Sequence, residues 1–242
     1  MTIYIFSQSL GYISSNSDYK QACIEQILRA SFCSNKYICT RMIGQKEINN
    51  YKRVGIGAEQ LVGIPQYFTD NQSLESSVKA EEKLEELKNI LQCTEVSYRD
   101  SEIWLIKDGY VIASILLDET DKNYLWAVCY YSCAKLLRME VYTDGISYMN
   151  SYITATSEQG LYAKITKRTF YNKDGSVAYD QIFEGEKEWF LFPDGRLCTK
   201  SQMMEEFIRT LNLSEDDVIL LDESVPNELL RAVFMFGKVA RL

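Results

Sequence analysis

The chain has 242 residues, of which 46% are hydrophobic and 25% charged, with only 3 proline and 12 glycine; this suits one large globular domain or two smaller ones and excludes a low-complexity or linker-rich chain. A formal net charge of −8, with no basic stripe interleaved with aromatics, excludes tight binding to a phosphate backbone, so no nucleic acid is expected as partner. No run approaches the roughly 18 apolar residues of a membrane span.

Residues 2–6, TIYIF, read as a first strand, followed by a polar loop from Ser7 to Asn16. Tyr19, Cys23, Ile27 and Ala30 then recur at helical spacing on one face, with Ser15 and Asp18 in the form of a capping box. Residues 36–40, KYICT, read as a second strand, so the chain opens as an α/β layer. A helix is predicted from about Ser73 to Leu91, with Val78, Leu84, Leu87 and Leu91 on its buried side. Its Glu81, Glu82, Glu85 and Glu86, mixed with lysines, read as a solvated face.

From Thr94 to Cys198 the pattern changes to short runs rich in Tyr, Ile, Val and Trp. They are separated by Asp108-Gly109, Asp144-Gly145, Asp174-Gly175 and Asp194-Gly195. Such turn dipeptides between strand-like runs predict an antiparallel meander. The segment Arg168–Phe183 (RTFYNKDGSVAYDQIF) is its plainest hairpin. A helix carrying Met203, Phe207, Ile208 and Leu211 follows, with Thr199 and Gln202 placed to box its start. Asp217–Asp222 (DVILLD) reads as a strand buried on both faces of a parallel sheet. Pro226 opens a last helix presenting Leu229, Leu230 and Val233. The expected fold class is therefore α/β plus β: a partial Rossmann-like layer from residues 1–72 and 199–242, interrupted by an inserted helix and antiparallel sheet, residues 73–198.

Candidate chemistry is sparse. Histidine is absent, which removes the commonest general base, metal ligand and partner of a serine or cysteine nucleophile. Cys129 and Cys133, four apart on a predicted strand, would share a face, but with no CxxC nearby they read as buried thiols rather than a zinc site, and no metal is expected. Asp118, Glu119 and Asp121 read as a turn rather than an acid–base pair. Gly55-x-Gly57-x5-Gly63 has the wrong spacing for a dinucleotide loop and reads as a plain loop. Tyr130, Tyr131, Tyr142, Tyr148 and Tyr152 fit either a core or an interaction face. The seven cysteines and an N-terminus without the charge and apolar run of a signal peptide suggest reduced thiols in a cytoplasmic protein, free or peripheral to the membrane.

Four blocks, in order along the chain, carry a resemblance. They are Met1-Thr2-Ile3-Tyr4 with Leu10-Gly11, Ser14-Ser15 and Tyr19-x-Gln21-Ala22; Ile56-Gly57 to Tyr67-Phe68-Thr69-Asp70; Arg168-Thr-Phe-Tyr-Asn-x-Asp-Gly175 through Tyr179-Asp180; and Leu211-Asn-Leu-Ser-x-x-Asp217-Val-Ile-Leu ending in Leu221-Asp222. Together they resemble the N-terminal half of the GtfA-type glycosyltransferases. These add N-acetylglucosamine to serine-rich repeat adhesins of the accessory Sec system and are related to poly(glycerol-phosphate) glucosyltransferases.

The resemblance implies a GT-B N-terminal domain interrupted by an extended β-sheet domain that binds a partner glycosyltransferase subunit or self-associates, and a Ser/Thr-rich protein acceptor. It implies a UDP-sugar donor only where a second, nucleotide-binding domain is supplied, so the chain alone is expected to be inactive, with no catalytic residue of its own. It also implies that Ser14, Ser15 and Asn16 form the family's nucleotide-contacting loop, Asn16 standing where the family has glycine. The alternative function is a non-catalytic scaffold or co-activator that binds a glycosyltransferase or its adhesin substrate through the same sheet.

Overall fold

The computed structural model describes residues 2–7, 34–44, 48–49, 56–221, 225–236 and 239–241. The helix expected around Tyr19–Ala30 lies outside the described residues. The chain divides into two compact units, Met1–Phe68 with Lys200–Leu242, and Thr69–Thr199.

The first unit holds a five-stranded sheet. Its strands are β1 (Thr2–Ser7), β2 (Ser34–Cys39), β3 (Leu61–Gly63), β14 (Val218–Leu221) and β15 (Val239–Arg241). Their spatial order is β15-β14-β1-β2-β3, and every neighbouring pair is parallel. The apolar run at 218–221 takes an interior position between β1 and β15, where both strand edges find partners; this is why it carries almost no polar residue. Phe6, Ile38, Ile219 and Leu221 form one core cluster with residues of two helices, α3 (Lys200–Thr210) and α4 (Asn227–Phe236). The expected faces are the buried ones: Met203, Phe207 and Ile208 on α3, Leu229 and Val233 on α4. Phe207 meets Phe6 edge-on at 6.5 Å and Tyr67 at 4.8 Å. The carbonyl of Pro226 accepts from the amides of Leu229 and Leu230, so proline stands just outside the helix, where its lack of an N–H costs nothing.

One carboxylate sets the register of this sheet. Asp217 Oδ1 accepts from the amide of Thr2 at 2.6 Å, and Oδ2 from the amide of Ser214 at 2.9 Å. It thereby joins the first residue of β1 to the residue preceding β14, and the ladder begins one step on, Ile3 opposite Val218.

The second unit is a ten-stranded sheet in which each strand pairs antiparallel with the next in sequence, β4 to β13. The edge strands are short, β4 (Glu95–Tyr98) and β13 (Leu197–Thr199). Between them run β5 (Glu102–Lys107), β6 (Tyr110–Leu117), β7 (Leu125–Ser132), β8 (Lys135–Tyr142), β9 (Ile146–Ser157), β10 (Gly160–Tyr171), β11 (Val177–Glu184) and β12 (Lys187–Leu191). All four Asp-Gly pairs fall in turns between consecutive strands. At Asn172–Ser176 and Phe192–Arg196 the turns are chemically alike. The glycine amide bonds back to the first residue's carbonyl, and the aspartate side chain accepts the amide two residues on, Ser176 at 2.8 Å and Arg196 at 2.9 Å. Gly175 and Gly195 sit at φ of 81° and 84°, where a side chain would be strained.

The helix predicted over Ser73–Leu91 is shorter, Ala80–Leu91 (α2). Residues 73–79 instead run as a strap bonded to the sheet. Ser77 N donates to the Thr143 carbonyl, Val78 O accepts from Leu125 N, and Lys79 bridges Tyr124. The serines explain the difference: Ser73 and Ser77 hydroxyls bond Asp144, and Ser76 Oγ takes the Val78 amide, so local side-chain bonds compete with helix. Ala80, Leu84 and Leu87 of α2 pack on Ile103, Leu105, Ile115, Val128 and Tyr142.

The two amide donors hold the Asp217 carboxyl below the usual carboxylate range. A depressed pKa contributes stability that is complete above the unfolded value, about pH 4, and is lost as pH falls through the folded one. Asp217→Ala is therefore expected to lower the melting temperature by about 2–4 °C at neutral pH, with the gap to wild type closing as pH is taken below about 4; thermal unfolding across that range checks it.

Candidate functional site

Residues that stand opposite one another in a sheet share a face. The registers place Ser97, Trp104, Ser114, Cys129, Met139, Asn150, Arg168, Gln181, Phe190 and Cys198 in one line across all ten strands. The middle of this line is a hydrogen-bonded chain. Tyr152 Oη donates to Met139 Sδ at 3.7 Å, and Asn150 Nδ2 donates to Tyr152 Oη at 3.2 Å. Arg168 Nε donates to Asn150 Oδ1 at 2.7 Å and its Nη1 to Gln181 Oε1 at 3.2 Å, while Gln181 Nε2 donates to Glu188 Oε2 at 2.9 Å. The Arg168 guanidinium also lies 5.4 Å from the ring of Tyr148 and 5.7 Å from that of Phe183. Asn150 and Gln181 are buried, so Arg168 satisfies two side-chain oxygens that water reaches poorly.

The other face carries a second polar group. Glu140 is buried and accepts the hydroxyls of Tyr130 and Tyr142, each at 2.8 Å, with Arg138 Nη2 at 3.5 Å. Arg138 stacks 4.0 Å over the Tyr130 ring and Lys83 of α2 lies 5.3 Å from that of Tyr142. Burial, and then the charge of Glu140, push both phenols well above their ordinary value.

The exposed element is a ribbon. β8 pairs with β9 only as far as Ser151, and β11 with β10 only from Lys167. From Tyr152 to Ile165 these strands pair with each other alone, closing through Gly160 at φ 116°. Ile153, Leu161 and Tyr162 are 52%, 70% and 46% exposed there. Two strands with apolar side chains in water on both faces are marginal by themselves and gain from a covering surface.

Ser14, Ser15 and Asn16 lie outside the described residues. Cys129 is buried, with its thiol pushed up by burial, but Cys133 does not share its strand. It is exposed in the β7–β8 turn, where Cys133 and Ala134 both take positive φ, 48° and 60°, because a tight hairpin twists that way whatever residues occupy it. Among the described residues no group of three His, Cys, Asp or Glu could hold a metal ion. Asp118 organises its turn, accepting from Thr120 and Asp121. Gly57 precedes a short 3-10 turn, Ala58–Gln60, and Gly63 a four-residue helix, α1 (Ile64–Tyr67), while Gly55 lies outside the described residues. None of the five tyrosines singled out is exposed; they serve the polar groups of the two faces, and among the described residues the exposed tyrosines are Tyr98, Tyr110 and Tyr162. The Arg168 chain carries no signal in the sequence because its members are scattered over five strands, β8 to β12; only strand register brings them together. No helix among the described residues is long and apolar enough to cross a membrane.

The fold is thus a parallel sheet interrupted in sequence by a ten-stranded antiparallel meander. Comparison makes this specific: residues 95–194 match the family model described as the GtfA extended beta-sheet domain. The chain is GtfA-like along its length. It is 29% identical over 224 residues, 92% of this chain and 43% of the relative, to the UDP-N-acetylglucosamine–peptide N-acetylglucosaminyltransferase GtfA subunit of Streptococcus gordonii. Among solved structures, a GtfA/B complex superposes over 100% of this chain and 48% of its own with a TM-score of 0.80 at 24% identity. The pneumococcal O-GlcNAc transferase GtfA in complex with UDP and GlcNAc also scores 0.80, at 22% identity, over 100% of this chain and 47% of its own. The chain thus spans less than half the length of the relatives it matches.

Arg168→Ala leaves the Asn150 and Gln181 oxygens without their donors and is expected to cost about 1–3 kcal/mol in urea unfolding, against about 0.5 or less for Lys164→Ala on the exposed ribbon. Because the fold favours the neutral phenols of Tyr130, Tyr142 and the fully buried Tyr179, their stabilisation is complete below about pH 10 and is lost as pH rises beyond it. In an ultraviolet titration these three are expected to ionise only together with unfolding.

Proposed function

We propose that this chain is the acceptor-holding and assembly part of a GT-B protein O-glycosyltransferase that uses UDP-N-acetylglucosamine. The observation that carries the proposal is the GtfA extended β-sheet domain match over 95–194, the residues that build a sheet with a projecting, apolar ribbon. The spatial order of the parallel strands supports a Rossmann-like reading of residues 1–72 and 199–242, since two strands lie to one side of β1 and two to the other. Residues 73–198 are then the inserted domain. The ribbon and its flanking sheet would receive a partner subunit of the kind present in the GtfA/B complex, and a Ser/Thr-rich polypeptide would be the acceptor. Ser14, Ser15 and Asn16 would face the nucleotide of the donor when the rest of a GT-B enzyme is present.

Two measurements test this. Incubation of the 242-residue polypeptide with UDP-N-acetylglucosamine and a Ser/Thr-rich peptide is expected to give no transfer by itself; robust transfer would overturn the division of labour. Ile153→Asp combined with Leu161→Asp is expected to weaken association with a GtfB-type subunit at least about tenfold without lowering the melting temperature, because both side chains are exposed. Unchanged affinity would remove the ribbon from the interface.

A further inference from the structure

Polar side chains buried in a fold have hydrogen-bond partners, and one that lacks them calls for an explanation such as a ligand or an ordered water. Among the described residues, Ser7 Oγ is such an atom: the residue is 8% exposed and its hydroxyl meets no partner. Its backbone is fixed. Ser7 lies opposite Cys39 in the ladder, and its carbonyl accepts from the Thr40 amide at 3.1 Å. Ser7 is the last residue of β1. Alternation puts it on the face of Ile3 and Ile5, away from the Phe6 side that packs in the core cluster.

The place is informative. β1 is the strand at which the order of the parallel sheet reverses: from it the chain builds outward through β2 and β3 on one side and through β14 and β15 on the other. In open sheets of this kind ligands bind beyond the carboxyl ends of the strands at the point of reversal. A serine hydroxyl offers one donor and two acceptor positions and no charge. Its natural complement is a group that both gives and takes a hydrogen bond, whereas a phosphate calls for cations or a cluster of amides.

We propose that Ser7 Oγ is a ligand-binding residue, forming a hydrogen bond to a hydroxyl of a neutral saccharide held at the carboxyl edge of the parallel sheet. The identity of the saccharide rests on the glycosyltransferase reading above; the orphaned hydroxyl and its position do not.

The test compares wild type with Ser7→Ala, each titrated with N-acetylglucosamine and, separately, UDP by ligand-observed NMR, and each melted without ligand. Loss of an unpartnered hydroxyl is expected to leave the melting temperature equal or higher, to weaken N-acetylglucosamine binding about 3- to 10-fold, and to leave UDP unaffected. A lower melting temperature in the variant would show that Oγ already has a structural partner and would overturn the proposal. So would wild type that binds no N-acetylglucosamine, or a variant that binds it as well. The outcome separates from the assembly reading: a Ser7-dependent saccharide site with no subunit association removes that reading and keeps this site, and the converse removes only this site.

Discussion

The pairing of β9 with β10 is the interaction on which the ten-stranded sheet is built. These are the two longest strands, Ile146–Ser157 and Gly160–Tyr171, and their ladder runs from Gly160 opposite Ser157 to Phe170 opposite Tyr148. Every other strand is reached from them by one hairpin after another. Their proximal halves carry the side chains that lock the sheet, Asn150 and Arg168 on one face and Thr169 against Asp180 on the other. Their distal halves are released from neighbours and become the ribbon. The same two strands thus supply the rigid centre and the accessible tip, and the tip is held out by the part of the hairpin that is fully integrated.

The residues that carry family likeness are, in several cases, clamps between segments far apart in sequence. Asp217 and Thr2 belong to the fourth and first of the matching blocks and meet through a hydrogen bond. Asp70 and the Asn172–Lys173 turn belong to the second and third. Asp70 N donates to Asn172 Oδ1 at 3.3 Å, and Lys173 N donates to Asp70 Oδ1 at 2.6 Å. A carboxylate that receives backbone amides fixes where two stretches of chain meet, and few other side chains do this with the same reach and charge. These positions therefore mark the fold. They do not by themselves mark chemistry, and the distinction matters for a chain whose described residues show polar networks that are largely satisfied internally.

Much of this was legible beforehand, for local reasons. Asp-Gly turns announce themselves because they supply the backbone conformation a hairpin requires, and the apolar run at 218–221 could only be an interior strand. The turn at Cys133-Ala134 was not legible, since neither residue favours positive φ and the flanking strands impose it. The strap at 73–79 was misread as helix because its serines act through bonds to Asp144 and Ser77 N reaches Thr143, partners more than sixty residues away. The candidate site was harder still. Arg168 was visible as part of a hairpin, but its contacts with Asn150 and Gln181 follow from register across strands, and Ser7 reads as ordinary loop polarity until its burial is known.

The sheet is widest in its middle strands and narrow at its margins: twelve residues at β9 and β10, four at β4 and three at β13. An open sheet exposes unpaired backbone at both edges, and a long flat edge invites further strands to add without limit. Here the outermost strands are too short to template such growth. The taper lets a large sheet stay open without seeding a fibre.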